Sequence, residues 1–477
     1  MKGLFFWQRL LLAVVAIATS ALLLNVATDV TTLWYTAWLA PAPLLLFAYY
    51  GRFWEAWLVL FLSFSLGSAS YILFYQNLLQ SHLLWITLLS SAAFAFFLML
   101  TCWICRNYAR WWMVFILPLV WVSCEFMQAR LTGLGTLGDL AYTQIGFLPM
   151  LQIAYLTGIW GVSFMVVLLS NAIVFSIFMM NKPGGRFLCW LLPLLVVLSS
   201  LVFGMARISQ PQLQDHVHVG LIVLPHDQRN LPVAQKIQRY GELVKRLNRD
   251  PVQVAVMPEQ TLTLNDHNWV EGLAGFSAIA KRYKTNLILG VDRHYRARKM
   301  RKEVWFINAQ GQLAGVYDKN AYLPKALSRY HEGNRLLVLN KPSGLWGVAL
   351  CSDMDFQDVA RRYSRSGVGL MFVLGRDSNL HDAYIETGGD IFRGVENDFA
   401  VVRVAQGGLV TVSDDRGRIL SLEKVRQKES TLLRVYVRLG RGKSVYADAG
   451  DWFAYVCLVL SLLFLFRYLS LELPKNK

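Results

Sequence analysis

Charge is scarce in this sequence. Asp, Glu, Lys and Arg make up 16% of its 477 residues, where a soluble chain carries roughly a quarter. Histidine is thinner still at 8 residues, and cysteine thinner again at 6. His226, His294, His331 and His381 have no metal-ligand spacing and read as surface or loop residues, so no metal site is expected. No organic cofactor is implied either. A disulfide framework is excluded because Cys102, Cys105, Cys124, Cys189 and Cys457 all lie in apolar runs. Cys102 and Cys105 form a C-x-x-C, but inside a membrane helix they read as small packing residues. That leaves Cys351 as the lone cysteine of the polar part of the chain, a thiol with no local partner that is either an inert, buried strand residue or a candidate nucleophile.

What the sequence has in excess is apolar residues, 55% of the total, and they are concentrated. A membrane span needs about 20 mostly apolar residues. Eight stretches qualify: 10–28, 31–50, 54–76, 82–105, 111–128, 153–180, 187–206 and 452–470. The first resembles a signal peptide, with Lys2 and Arg9 ahead of it, but further spans follow at once and it reads as a retained helix. Residues 1–206 are thus expected to form a seven-helix membrane domain. Residues 207–451 are expected to form a domain of mixed sequence, and 452–477 a last helix with its tail.

Basic residues fix the expected orientation. Lys2, Arg9, Arg52, Arg106, Arg110, Lys182, Arg186, Arg467, Lys475 and Lys477 fall in alternate loops and at the ends, whereas 29–30 and 77–81 hold no Lys or Arg and 129–152 holds only Arg130. Both termini are then cytoplasmic and 207–451 lies outside, which in a bacterium is the periplasmic side of the inner membrane. The net charge of +16 is read as attraction to anionic lipid headgroups rather than to nucleic acid.

Segment 207–451 alternates strand-like and helix-like stretches. Strands are expected at 218–224, 252–257, 286–291, 305–308, 313–317, 347–350, 369–374, 400–404, 409–413 and 419–422. Helices are expected at 233–249, 269–283, 356–366 and 383–397. The order suggests an α/β sandwich of two sheets faced by helices. Glu259, Lys319 and Cys351 each sit just past the carboxyl end of a strand, where open α/β sheets place their sites. A thiol attacks a carbonyl only as thiolate, so it needs a base or a neighbouring cation. Glu259 could take the proton, and Lys319 could stabilise the thiolate and the oxyanion of the intermediate.

Glu, Lys and Cys in this order resemble the nitrilase (carbon–nitrogen hydrolase) site. Seven spans, such a domain and one final span resemble the apolipoprotein N-acyltransferase family. Pro118-Leu119-Val120-Trp121, Glu125, Arg130, Tyr142-Thr143-Gln144, Leu151-Gln152, 158–163 and Asn171 resemble its membrane half. Arg393-Gly394-Val395-Glu396-Asn397, Arg403, the 413–417 turn, Tyr446 and Gly450-Asp451-Trp452-Phe453 resemble its later segments. The resemblance implies an α-β-β-α sandwich outside the membrane, with Glu259 as general base, Lys319 as oxyanion stabiliser and Cys351 as nucleophile. It also implies a ping-pong transfer of an acyl chain from a phospholipid, through a Cys351 thioester, to the N-terminal amine of a lipoprotein.

The departures from the family pattern surround the site. Ser352-Asp353 stands where the family has Tyr-Glu, and Asp353 could serve for that acid. The helper Glu expected eight residues after the lysine falls on Leu327, with Pro324 aligned and Glu332 the nearest alternative. Gly375-Arg376-Asp377-Ser378 replaces an Asn-Asp-x-Trp segment, and Pro225-His226-Asp227 replaces a Gln- and Asn-rich turn. Glu396 could approach the site or pair with Arg393. Glu125 and Arg130, near an outer helix end, could guide a lipid headgroup or be structural. Two other readings remain open: a membrane-tethered amidase or an acyltransferase with another acceptor, and a non-catalytic lipid- or lipoprotein-binding protein.

Overall fold

The computed structural model describes residues 5–27, 33–75, 82–132, 135–136, 138–180, 185–228, 230–295, 299–321 and 329–472. Expectations that fall on Lys2, Lys182, Lys475, Lys477, Pro324 and Leu327, and on the 29–30 and 77–81 loops, lie outside the described residues. The chain divides into two compact units, one of Met1–Ser209 with Ala449–Lys477 and one of Gln210–Asp448.

Among the described residues of the first unit, six helices are long and apolar enough to cross a membrane: Phe6–Ala27, Trp85–Tyr108, Trp111–Thr132, Ile159–Phe178, Phe187–Ser209 and Trp452–Ser470. The described part of the 54–76 stretch lies in helix Phe53–Tyr75. The 31–50 stretch is not one helix. A 3-10 turn at Trp34–Trp38 precedes helix Pro41–Tyr50, whose first position is a proline. Pro41 and Pro43 supply no N–H, so the helix starts there rather than running through. The 153–180 stretch is likewise cut at Gly158, where φ is +66°, into Ala154–Thr157 and Ile159–Phe178.

Polar side chains tie this unit together where lipid would leave them unpaired. Asp451 precedes the last helix. Its carboxylate accepts from Trp160 Nε1 at 2.9 Å and is paired with Arg130, while Trp452 Nε1 donates to Leu156 O at 2.9 Å. Glu125 is buried and accepts from Trp121 Nε1 at 2.9 Å and from the Leu140 amide at 3.1 Å. Glu125 and Arg130 are therefore both engaged within the unit.

The second unit is built on two sheets. Its strands are β1 (His216–Val223), β2 (Val254–Val256), β3 (Leu262–Leu264), β4 (Asn286–Arg293), β5 (Arg301–Ile307), β6 (Leu313–Asp318), β7 (Val338–Lys341), β8 (Gly344–Leu350), β9 (Leu370–Arg376), β10 (Ala400–Gln406), β11 (Leu409–Ser413), β12 (Ile419–Lys424) and β13 (Thr431–Arg438). One sheet runs β13-β1-β2-β4-β5-β6, with β3 paired to β4, and the other runs β12-β11-β10-β9-β8-β7. Their facing sides share one apolar core that includes Val219, Leu221, Val256, Ile288, Val348, Leu350, Phe372 and Val402. The outer face of the first sheet packs on helices Val233–Leu247 and Trp269–Tyr283. The outer face of the second packs on helix Gln357–Arg365 through Val359, Ala360 and Tyr363. This is the helix–sheet–sheet–helix arrangement expected from the order of elements. Strands β3, β7 and β13 were not expected. β3 and β7 are too short to give a clear period-2 signal, whereas β13 does carry one, with Leu433, Val435 and Val437 on the core side alternating with Arg434, Tyr436 and Arg438.

Close packing in the first unit gives a test. A Cβ on Gly204 would lie 1.9 Å from the Pro149 carbonyl oxygen. Gly204→Ala should therefore destabilise the folded protein by about 1–3 kcal/mol through overpacking. A thermal melt in detergent should show this loss, and an unchanged melting temperature would refute the close approach.

Candidate active site

Three strand ends supply the candidate groups. β2 runs into Met257-Pro258-Glu259, and this corner is held by backbone and side chains together. Met257 N donates to Ile288 O at 2.9 Å, Gly290 N to Pro258 O at 3.2 Å, and Thr261 Oγ1 to Pro258 O at 2.7 Å. Lys236 Nζ adds a bond to Thr261 O at 2.9 Å. Gln260 turns the chain away with φ at +60°. The corner fits only because position 290 is glycine: a Cβ there would lie 2.6 Å from Glu259 Cα.

β6 delivers Lys319. Its amide donates to Lys302 O at 2.9 Å, and its carbonyl accepts from Gly333 N at 2.7 Å. β8 delivers Cys351 as the first residue of a 3-10 turn, Cys351–Asp355, with φ at +42°. That left-handed conformation is costly for a non-glycine residue and persists only where the surroundings impose it. Here it turns the chain out of the strand at the nucleophile candidate.

Asp353 joins the last two strand ends. It is fully buried. Oδ2 accepts from Leu350 N at 2.9 Å and from Tyr317 Oη at 2.8 Å. Oδ1 accepts from Asn320 N at 3.0 Å and from Ala321 N at 2.7 Å. One donor belongs to the cysteine turn and three to the segment that carries Lys319, so one carboxylate sets the spacing between them. Behind the turn, Arg393 Nε donates to Met354 O at 2.9 Å, and Arg393 is paired with Glu396, both buried. Glu396 thus supports the cysteine turn through Arg393. Glu332 is exposed on the loop after residue 330.

The electrostatics bring Glu259, Lys319 and Cys351 into one field. Burial alone would raise the Glu259 carboxyl, but Lys302, then Lys319 and Arg376, hold it below the usual range. Burial pushes the Cys351 thiol well up, and Glu386 adds to this, while Lys319 opposes it. Burial also raises Asp353, opposed by Lys319 and by its donors. The arrangement is a protonated thiol, an ionised carboxylate and an ammonium that acts on both. It suits attack on a carbonyl with a charged oxygen forming beside Lys319. Among the described residues no group of three His, Cys, Asp or Glu side chains could hold a metal ion.

Several charged groups here were not singled out from the sequence as site candidates. Lys302, on β5, is ion-paired with Glu259. Arg376, at the end of β9, donates to Gln260 Oε1 at 2.5 Å. Asp377 and Asp390 clamp the buried Arg403 at 2.6 and 2.9 Å. Glu386 acts on Cys351, and Asp355 is pushed to about 7 by burial and by Asp390. The strand-end rule that singled out Glu259 applies equally to Arg376. Lys302 was hidden because β5 was expected to start only at 305.

Two family models match the chain in succession. Residues 20–173 match the apolipoprotein N-acyltransferase N-terminal domain, and residues 219–437 match carbon-nitrogen hydrolase. An apolipoprotein N-acyltransferase of Geobacter metallireducens is 27% identical over 72% of this chain and 71% of its own length. Another, of Thermotoga maritima, is 22% identical over 70% of this chain and 66% of its own. The solved structure of Saccharomyces cerevisiae Nit3, a nitrilase-superfamily member, covers 46% of this chain and 90% of that chain at 16% identity, with a TM-score of 0.41.

Two substitutions test the site's scaffold. Asp353→Ala would leave buried backbone N–H groups and the Tyr317 hydroxyl unpaired, and should cost on the order of 3 kcal/mol of stability in a denaturation curve. A loss below about 0.5 kcal/mol would show that those bonds carry little. Gly290→Ala should displace Glu259 and lower turnover at least tenfold with the protein still folded. Full turnover would show that the corner has room.

Proposed function

Because the chain belongs to the apolipoprotein N-acyltransferase family, at 27% identity a divergent member, we propose that it moves a fatty acyl chain from a phospholipid to the N-terminal amine of a diacylglyceryl-cysteine lipoprotein. What supports this reading most is that the charges of Lys319 and Glu259 both act on Cys351, at a left-handed turn past β8 in the stretch that matches carbon-nitrogen hydrolase.

The transfer runs in two halves. Cys351 gives its proton to Glu259 as sulfur bonds to the ester carbonyl carbon, and the oxyanion forms beside the Lys319 ammonium. Collapse breaks the ester C–O bond, and the leaving lysophospholipid oxygen takes the proton from Glu259. The acceptor amine then loses a proton to Glu259 as it attacks the thioester, and the Cys351 thiolate leaves and is reprotonated. Splitting the reaction lets two bulky lipids use one site in turn. Asp353 and Glu396 position the cysteine turn in this scheme. Glu332 is left as a supporting candidate and the partly exposed Arg130 as a headgroup-facing one, while the buried Glu125 is structural.

The chain is a membrane protein of acyl transfer. For its finer topology the reading is eight spans, cytoplasmic termini and the nitrilase-like unit on the periplasmic side of the inner membrane, close to its phospholipid and lipoprotein substrates. The alternation of basic loops supports this orientation.

Incubation of the purified protein with phosphatidylethanolamine vesicles should load a fatty acyl group on Cys351, detected by peptide mass spectrometry. Cys351→Ala should form no thioester and lose at least ~10³-fold in transfer, while inserting and folding as before. Full activity of that variant would reject the nucleophile. Lipoprotein N-termini that stay free amines in the presence of active protein would reject the acceptor and favour an amidase.

A further inference from the structure

The carboxylate that must accept the thiol proton is already occupied. Glu259 is paired with the largely buried ammonium of Lys302. A carboxylate held by an ammonium is a weak base, and the thiol it should deprotonate is itself pushed up by burial. A fixed Lys302–Glu259 pair would therefore oppose the first step.

The structure contains a second seat for that ammonium. In the antiparallel pairing of β4 with β5, Asp292 stands directly opposite Lys302. Ile288 of β4 and Val304 and Phe306 of β5 belong to the core between the sheets. By the period of two, Asp292 and Lys302 continue that inner row. Asp292 is 4% exposed, and its Oδ1 has no hydrogen-bond partner among the described residues. A buried carboxylate oxygen without a donor is costly and calls for an explanation. The Lys302 ammonium also lies 5.4 Å from the Tyr330 ring centroid, a favourable surface for a cation. Lysine carries its charge on a flexible four-carbon stem, so it can change partners while its backbone stays in the sheet.

We propose that Lys302 is a positioning residue that shuttles between two carboxylates: it orients Glu259 at rest and moves to Asp292 as Cys351 gives up its proton. The move leaves the ammonium paired throughout and makes Glu259 a stronger base at the moment the proton arrives. No bond to Lys302 forms or breaks; the proton passes only from Cys351 Sγ to Glu259. The other charges that act on the two carboxylates are Lys319 from the end of β6, Arg376 from the end of β9, and His294 beyond β4. Lys236, from helix Val233–Leu247, is itself influenced by Asp292. This inference rests on Glu259 being the base in the reaction proposed above.

The test is the pH dependence of the nitrophenol burst from p-nitrophenyl butyrate, one acyl group per Cys351, in the full-length protein. Lys302→Met removes the cation that favours the carboxylate, so Glu259 should titrate higher and the acid limb should move up by about one pH unit or more. Lys302→Arg keeps the cation and should leave that limb near its wild-type position. Asp292→Asn removes an anion and the second seat, so the acid limb should move down and the plateau rate should fall about tenfold. A wild-type limb in Lys302→Met would overturn the proposal. So would an undiminished plateau in Asp292→Asn, which is nearly isosteric and tests the idea even if Lys302→Met fails to fold. A wild-type burst without transfer from phospholipid would instead strike the lipoprotein reading and leave the relay standing.

Discussion

The carboxylate of Asp353 holds one amide from the cysteine turn and three donors from the segment around Lys319, entirely out of water. The two strands concerned, β8 and β6, belong to different sheets. Apolar packing between the sheets sets their separation but not their alignment, because hydrophobic contact has no direction. Four directed hydrogen bonds to one buried acceptor do fix alignment, and the left-handed turn at Cys351 depends on that anchorage. The reach of Lys319 to both Cys351 and Glu259 follows from it.

Around this tie the site is built of charges that would be unfavourable singly. Glu259 and Cys351 are pushed up by burial, and each is answered by an opposite charge from another strand end. On the other flank, Arg403 is enclosed by Asp377 and Asp390, and Arg393 by Glu396. Removing one partner from such a set leaves a buried charge uncompensated, which constrains the segment more tightly than the pairs stabilise it. The four residues from Gly375 to Ser378 make sense in this light. Arg376 reaches Gln260 beside Glu259, and Asp377 holds Arg403. They are structural members of the site in place of the segment that the family pattern led us to expect.

Within the membrane unit the same rule acts on fewer groups. Asp451 collects Arg130 and Trp160, and Glu125 collects Trp121 and the Leu140 amide. These polar side chains in an apolar setting find protein partners, since hydrocarbon offers none. The last helix is therefore fastened at its start by directed bonds as well as by apolar contact.

By itself the sequence determined whatever depends on period and punctuation. The apolar runs, the alternation of strand and helix, and the placing of Glu259, Lys319 and Cys351 at strand ends were all legible, because burial imposes its period on the residues locally. The helix breaks at Pro41 and Gly158 were legible in principle and were passed over because hydropathy alone ignores the missing N–H and the positive φ. Only the tertiary structure decided the pairings. That Lys302 lies on Glu259, that Asp292 faces Lys302 and that Asp353 spans two strand ends are contacts across sheets and turns. Charge partners are chosen by distance in space, and a sequence records distance only along the chain.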